Sequence, residues 1–80
     1  MVTKDDLKHW VAEAVSEAGG ESRVIDIAKW IWLHHESDLR KSGDMFFKWQ
    51  YDMRWAGQAL VQDGTLNKTT RRGYWKLTKR

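Results

Sequence analysis

The chain has 80 residues and no cysteine, which excludes disulfides and thiolate metal sites as sources of stability. Apolar residues make up 41% of it and six residues are tryptophan, so a disordered chain is excluded although 31% of the residues are charged. The net charge of +3 is uneven: residues 1–44 contain six Lys and Arg against nine Asp and Glu, and residues 45–80 contain eight against two.

The first predicted element is an amphipathic helix over residues 3–18. Thr3 and Asp6 have the spacing of a capping box, in which each side chain accepts a hydrogen bond from the other's backbone N–H. Apolar residues follow at helical spacing, and Gly19-Gly20 ends the helix. Residues 21–23 are too few to assign and could be extended.

A second helix is predicted over residues 24–35. Its apolar stripe includes Val24, Ile27 and Ile31, and Trp30 and Trp32 widen it, which implies contact on more than one side. Residues 36–44 are polar, and we expect a loop with a single apolar anchor, Leu39.

A third helix is predicted over residues 46–62, with Asp44 as its N-cap. Trp49, Met53 and Leu60 share one apolar face. A glycine inside a helix costs about 0.5–1 kcal/mol relative to alanine, so we expect another backbone to approach Gly57 closely.

Residues 66–78 have the pattern of a β-hairpin with a short turn ending at Gly73. Alternation predicts that Trp75 and Leu77 point inward, while Tyr74, Lys76 and Thr78 point outward. The order of elements is typical of a winged helix-turn-helix. The predicted fold class is therefore α+β, mostly α, as one domain over residues 1–80 with a C-terminal hairpin as the wing.

The outward side of the third helix carries residue types that recognise DNA. Arginine bonds guanine and glutamine bonds adenine in the major groove, and a tyrosine hydroxyl reaches phosphate. Basic residues in the hairpin suit phosphates or a narrow minor groove. A polar helix face and a charged turn are also ordinary features of soluble proteins. The predicted DNA-binding residues are Lys48, Tyr51, Arg54, Gln58, Lys68, Arg71, Arg72 and Lys76.

Trp55 lies nearly opposite the apolar stripe of the third helix, and we expect it to pack in the core near Leu39, with base stacking as the alternative. The adjacent His34 and His35 diverge by about 100° on a helix, so we expect no metal site there. No nucleophile, acid–base pair or phosphate-binding glycine loop is recognisable, and the sequence predicts neither an enzyme nor a cofactor.

Residues 53–64 and the segment Arg72-Gly73-Tyr74-Trp75-Lys76-Leu77-Thr78 resemble the N-terminal winged-helix domain of Mrr-type restriction proteins. The shared pattern is Trp55-Ala56, then Leu60 and Gly64, then the Arg-Gly-aromatic segment. The resemblance implies a winged helix used for DNA recognition. The nuclease domain of the family is not found in these 80 residues, so we expect no restriction activity from them, and Gly57 stands where an aliphatic residue is usual in the family.

These observations favour a non-catalytic module that binds double-stranded DNA in the cytoplasm, in transcription, restriction or another DNA process. A homodimer or a larger protein complex stays open, and neither a membrane nor a small-molecule substrate is expected. The alternative is a winged helix that serves as a docking or dimerisation module. Under that hypothesis, Trp30, Trp32 and Trp55 should form one exposed patch.

Overall fold

The computed structural model describes residues 2–68 and 73–78, apart from the side chains of Met45 and Lys68. Within these ranges, three helices and a small three-stranded antiparallel sheet form a mostly helical α+β architecture. The class is the one that the sequence predicts, whereas the third strand is additional to the predicted hairpin. The elements in chain order are α1 (Lys4–Glu17), β1 (Glu21–Arg23), α2 (Val24–Arg40), α3 (Met45–Gln62), β2 (Leu66–Lys68) and β3 (Tyr74–Leu77).

Both predicted ends of α1 are confirmed. The Thr3 hydroxyl accepts a hydrogen bond from the Asp6 N–H at 3.2 Å, and the Asp6 carboxylate accepts one from the Thr3 N–H at 3.0 Å. At the other end, Gly19 and Gly20 have φ of +90° and +102°, a region that glycine adopts without steric cost. The Gly20 N–H donates to the Val15 carbonyl at 2.9 Å and so closes the last turn.

The predicted end at residue 35 coincides with a kink between two helical segments of α2, and the loop predicted after it is wrong, because the chain is helical again up to Arg40. Its apolar stripe breaks where the helix kinks, at His35, whose φ and ψ are −130° and 20°. Beyond the kink, Arg40 Nε donates to Glu36 Oε2 at 2.6 Å, a favourable i, i+4 pair. Leu39 is fully buried in this last segment of helix and does not lie in a loop.

Helix α3 begins one residue earlier than predicted, and Asp44 occupies the N-cap position as predicted but does not cap the helix with its side chain. Asp44 has helical backbone angles and its side chain makes no capping hydrogen bond. A turn at Gly43, which has φ of +60°, leads into the helix instead. The Phe46 N–H donates to the Gly43 carbonyl at 3.1 Å, and the Phe47 N–H donates to the Asp44 carbonyl at 3.0 Å.

Strand β3 lies in the middle of the sheet, between β1 and β2. Residues 21–23, which were too few to assign from the sequence, therefore form strand β1, and Ser22 of this strand pairs with Trp75 of β3. Trp75 points inward as predicted and is 9% exposed. The outward prediction for Thr78 is wrong, because its hydroxyl is buried and has no hydrogen-bond partner among the described residues. Residues 69–72 of the predicted turn lie outside the described residues.

The core lies between the three helices and the inner side of the sheet. Its largest fully buried side chains come from every helix and from β2: Leu7, Val11, Val15, Ile27, Ile31, Leu39, Met53 and Leu66. The indole of Trp75 packs directly on Gly57, and a Cβ at residue 57 would lie 2.5 Å from ring atoms Cζ2 and Cζ3. The neighbour that Gly57 accommodates is thus a side chain, not the backbone that we expected.

Candidate nucleic-acid interface

Four predicted DNA-binding residues lie on one exposed face of α3. Lys48, Tyr51, Arg54 and Gln58 follow one another at spacings of three and four residues, which places them along one side of a helix. All four are exposed, and Tyr51 retains 76% of its accessible surface. The opposite side of α3 is buried and consists of Trp49, Met53, Ala56 and Leu60.

The single carboxylate of α3 is buried and is not exposed on this face. Asp52 is the only acidic residue in the helix, and its side chain is 4% exposed. Lys48 Nζ lies 3.9 Å from Asp52 Oδ2, and no described residue donates a hydrogen bond to that oxygen. The exposed face of α3 therefore carries the two cations Lys48 and Arg54 and no exposed carboxylate.

The predicted residues of the hairpin are described only in part. Lys76 is exposed on β3, where it pairs in register with Glu21 on one side and Asn67 on the other. Arg71 and Arg72 and the side chain of Lys68 lie outside the described residues, so their convergence with Arg54 stays a prediction.

Trp55 is not a core residue, contrary to the prediction. It keeps 46% of its surface exposed, and the Lys4 ammonium lies 4.7 Å from the centroid of its ring. This distance is that of a cation–π contact, which holds the ammonium without neutralising its charge. Lys4, at the start of α1, therefore lies beside the exposed face of α3. The sequence alone does not indicate this position, because it results from the packing of α1 on α3.

Two further aromatic side chains continue along the helix from Trp55. Phe47 is 85% exposed, and Phe47, Tyr51 and Trp55 recur at intervals of four residues; we call these three the aromatic row. The sequence analysis missed Phe47. Its position four residues before Tyr51, off the Trp49–Met53 stripe, is a signal that could have found it.

The tryptophans of α2 are engaged within the protein. Trp30 stacks on His34 with centroids 4.2 Å apart, and Trp32 lies nearly parallel to Trp49 at 6.1 Å. Both are half-buried. Because they are two residues apart in a helix, their side chains point in directions about 160° apart. Trp30, Trp32 and Trp55 therefore do not form the single exposed patch that the docking hypothesis predicts.

The two adjacent histidines stack on different tryptophans. His34 lies on Trp30, and the His35 ring lies 3.8 Å from that of Trp10. His35 Nδ1 is also 3.7 Å from the Asp38 carboxylate. Within residues 2–68 and 73–78, no group of three or more His, Cys, Asp or Glu side chains is placed to hold a metal ion.

An apolar groove of about 370 Å³ lies between the first half of α2 and the start of α3. Its apolar walls are formed mainly by Ile25, Trp32 and Phe46. The Arg40 guanidinium lies over Trp32 and Phe46, at 5.3 and 5.7 Å from their ring centroids. This groove is a second surface. It adjoins the aromatic row, because the ring of Phe46 contacts the ring of Phe47 edge to face, with the two centroids 5.1 Å apart.

One cation near the start of α2 is already paired. Arg23 Nε donates to Asp26 Oδ2 at 2.8 Å, and this hydrogen bond lowers the pKa of Asp26 and raises that of Arg23. The positive charge of Arg23 is therefore offset locally, in contrast to Arg54, for which no ion pair is found in the described part of the chain.

Of the helices in the described ranges, none combines the length and apolar character needed to cross a membrane. Comparisons of the chain with protein-family models, with curated proteins and with solved structures give no match.

Proposed function

We propose that the protein is a non-catalytic winged-helix domain that binds double-stranded DNA. In this proposal α3 enters the major groove and the β2–β3 connection contacts phosphates or the minor groove. One observation carries it: the exposed face of α3 presents Lys48 and Arg54, while the only carboxylate of the helix, Asp52, is buried.

The order of elements supports the winged-helix assignment. Helices α2 and α3 are consecutive, and the antiparallel strands β2 and β3 follow them directly. In helix-turn-helix proteins, the second helix of the pair lies in the major groove. The connection between β2 and β3 contains Arg71 and Arg72 in the sequence, at the position of the wing. The resemblance of this C-terminal segment to Mrr-type proteins agrees with the assignment.

The charges of α3 suit a phosphate backbone. Cations that contact phosphates release counterions, so binding weakens as salt increases, and log K falls by about 0.9 per log unit of salt for each phosphate neutralised. An exposed carboxylate among these cations would oppose binding. The residues around them, Tyr51 and Gln58, add neutral hydrogen-bonding groups for phosphate and base edges.

The test is a titration of a fluorescently labelled 20-base-pair duplex at several salt concentrations. We expect saturable, salt-sensitive binding by the wild type and a salt slope smaller by about 0.9 for Arg54→Gln. Lys41→Gln is the matched control, because Lys41 lines a cleft formed by α1, α2 and Val2 and not by α3. No binding at low salt, or equal slopes for the two variants, would contradict the proposal.

The β2–β3 connection is tested separately. If Arg71 and Arg72 each bind a phosphate, replacing either of them by alanine should lower the salt slope by about 1. If both variants keep the wild-type slope while Arg54→Gln lowers it, α3 binds DNA and the β2–β3 connection does not.

A docking or dimerisation domain is the second candidate, and the apolar groove between α2 and α3 favours it. Ile25 lines this groove and is 55% exposed, an arrangement that suits an apolar partner surface. Sedimentation equilibrium decides whether the chain self-associates. A dimer that Ile25→Asp dissociates, together with absence of DNA binding by the wild type, would establish this candidate in place of the first.

A further inference from the structure

The aromatic row is the most exposed apolar feature of α3. Phe47 and Tyr51 are 85% and 76% exposed, and Trp55 is 46% exposed. Large apolar side chains in such a row are unusual on a surface unless they contact a partner. Four residues of helix rise about 6 Å, so neighbouring members of the row are about 6 Å apart along the axis.

Intact duplex offers this row little to contact. In the major groove the base pairs present hydrogen-bond donors and acceptors, and the thymine methyl is their only apolar group. The Phe47 ring would remove water from those polar edges without replacing its hydrogen bonds, and Tyr51 and Trp55 offer only one polar group each. The cations of α3 suit duplex phosphates, whereas the aromatic row needs a different DNA feature.

Unpaired bases supply that feature, because each base has two flat faces that stack on aromatic side chains. Stacked neighbours in DNA are about 3.4 Å apart, so one base between two rings needs about twice that distance. The spacing of about 6 Å along α3 is close to this requirement. Bases opened from the duplex could alternate with Phe47, Tyr51 and Trp55 in a way that stacked base pairs could not.

Cations lie beside the row on the helix surface. Lys48 lies three residues before Tyr51 and Arg54 three residues after it, so both side chains neighbour the Tyr51 ring. Lys4 is held on the Trp55 ring by a contact that leaves its charge intact. A track of aromatic rings flanked by cations is the arrangement that proteins use to bind single strands.

We infer that the α3 face prefers DNA with locally unpaired bases, such as a bubble or a junction, over intact duplex of the same sequence. The aromatic row stacks on the opened bases, and Lys4, Lys48 and Arg54 contact the adjacent phosphates. This inference rests on the proposed DNA binding and specifies the form of DNA that the site takes.

The test measures fluorescence anisotropy with two labelled probes of equal length and flanking sequence, one fully paired and one with a four-nucleotide central bubble. Stacking of one base on one ring contributes a factor of roughly 5 to 150. We expect the wild type to bind the bubble at least about fivefold more tightly. Tyr51→Ala should remove most of this preference, whereas Tyr51→Phe, which keeps the ring, should retain it.

Leu33→Ala is the matched control, because Leu33 is an apolar side chain that is 77% exposed on α2, outside the row. It should leave the preference unchanged, and Phe47→Ala should reduce it as Tyr51→Ala does. Circular dichroism of each variant verifies that the fold is retained.

Equal affinity of the wild type for bubble and duplex would overturn the inference and leave the proposed DNA binding standing. Absence of binding to both probes would overturn both. A Tyr51→Ala variant that keeps the bubble preference but loses self-association in light scattering would assign the aromatic row to a protein contact, and the inference would be wrong.

Discussion

Gly57→Ala tests the contact that joins α3 to the sheet. A single added methyl group would lie 2.5 Å from two carbon atoms of the Trp75 indole, whereas carbon atoms in ordinary contact are about 3.5–4.0 Å apart. The ring must therefore move by more than about 1 Å. Trp75 lies on the central strand, between β1 and β2, so this movement disturbs the whole sheet.

Two effects of the substitution oppose each other. Alanine favours the helix over glycine by about 1 kcal/mol. Overpacking a filled core costs about 1–3 kcal/mol, and the rigid ring places this case at the upper end. We expect a net loss of about 2 kcal/mol in the free energy of unfolding. For a domain of this size, that loss lowers the Tm by about 8–16 °C.

Thermal unfolding followed by circular dichroism measures the effect. Gln58→Ala, at the adjacent exposed position, should change the stability by less than about 0.5 kcal/mol. In a Trp75→Leu background, where the ring is absent, Gly57→Ala should become neutral or stabilising. A higher Tm for Gly57→Ala in the wild-type background would contradict this expectation, since it would mean that the Trp75 ring does not obstruct residue 57.

Three other substitutions test local features of the fold. Thr3→Ala removes the capping hydroxyl and should lower the free energy of unfolding by about 1 kcal/mol in urea titrations, whereas Thr3→Ser should not. Leu39→Ala should cost about 2–5 kcal/mol by the same assay, since Leu39 is fully buried; a cost below about 1 kcal/mol would place it in a loop after all. The side chain of Thr65 lowers the pKa of the Asp63 carboxyl by hydrogen bonding, and so does the N–H of Thr65, which donates to Asp63 Oδ1 at 2.9 Å. The ionised Asp63 carboxylate stabilises the fold fully above the ordinary aspartate pKa, and this stabilisation is lost as the pH falls through the lower pKa of the folded state. When the pH is lowered below about 4, the free energy of unfolding of Asp63→Asn should therefore decrease less than that of the wild type.

Local signals predicted the parts of the fold that local interactions determine. The capping box at Thr3 and the glycine pair after α1 act over a few residues, and both ends of α1 are where they indicate. The end of α2 depends on distant packing. Leu39 extends the helix because the core takes it up, and the Glu36–Arg40 pair stabilises the last turn, although the apolar stripe stops at His35.

The same distinction applies to the candidate site. The buried stripe of Trp49 and Met53 fixes which side of α3 is exposed, so the positions of Tyr51 and Arg54 followed from the sequence. The environments of Trp55 and Gly57 did not follow from the sequence, because other elements supply them. Trp55 meets the start of α1 and stays half exposed. Gly57 meets an indole from β3, so we expect a larger residue there to destabilise the fold.

The division of the sequence into an acidic and a basic half does not describe the charges that DNA would meet. Asp52 belongs to the basic half, but its side chain is buried beneath the exposed face of α3. Its carboxylate lies 3.9 Å from Lys48 Nζ and offsets part of the charge of that cation. Lys4 belongs to the acidic half, and its contact with Trp55 brings it to the same face, where no ion pair of Lys4 is found among the described residues. The charge on this face thus depends on tertiary packing and not on the position of a residue in the acidic or the basic half. Because Lys4 reaches the face through its contact with Trp55, a change that loosens α1 from α3 would remove a cation from the face and weaken binding to a polyanion.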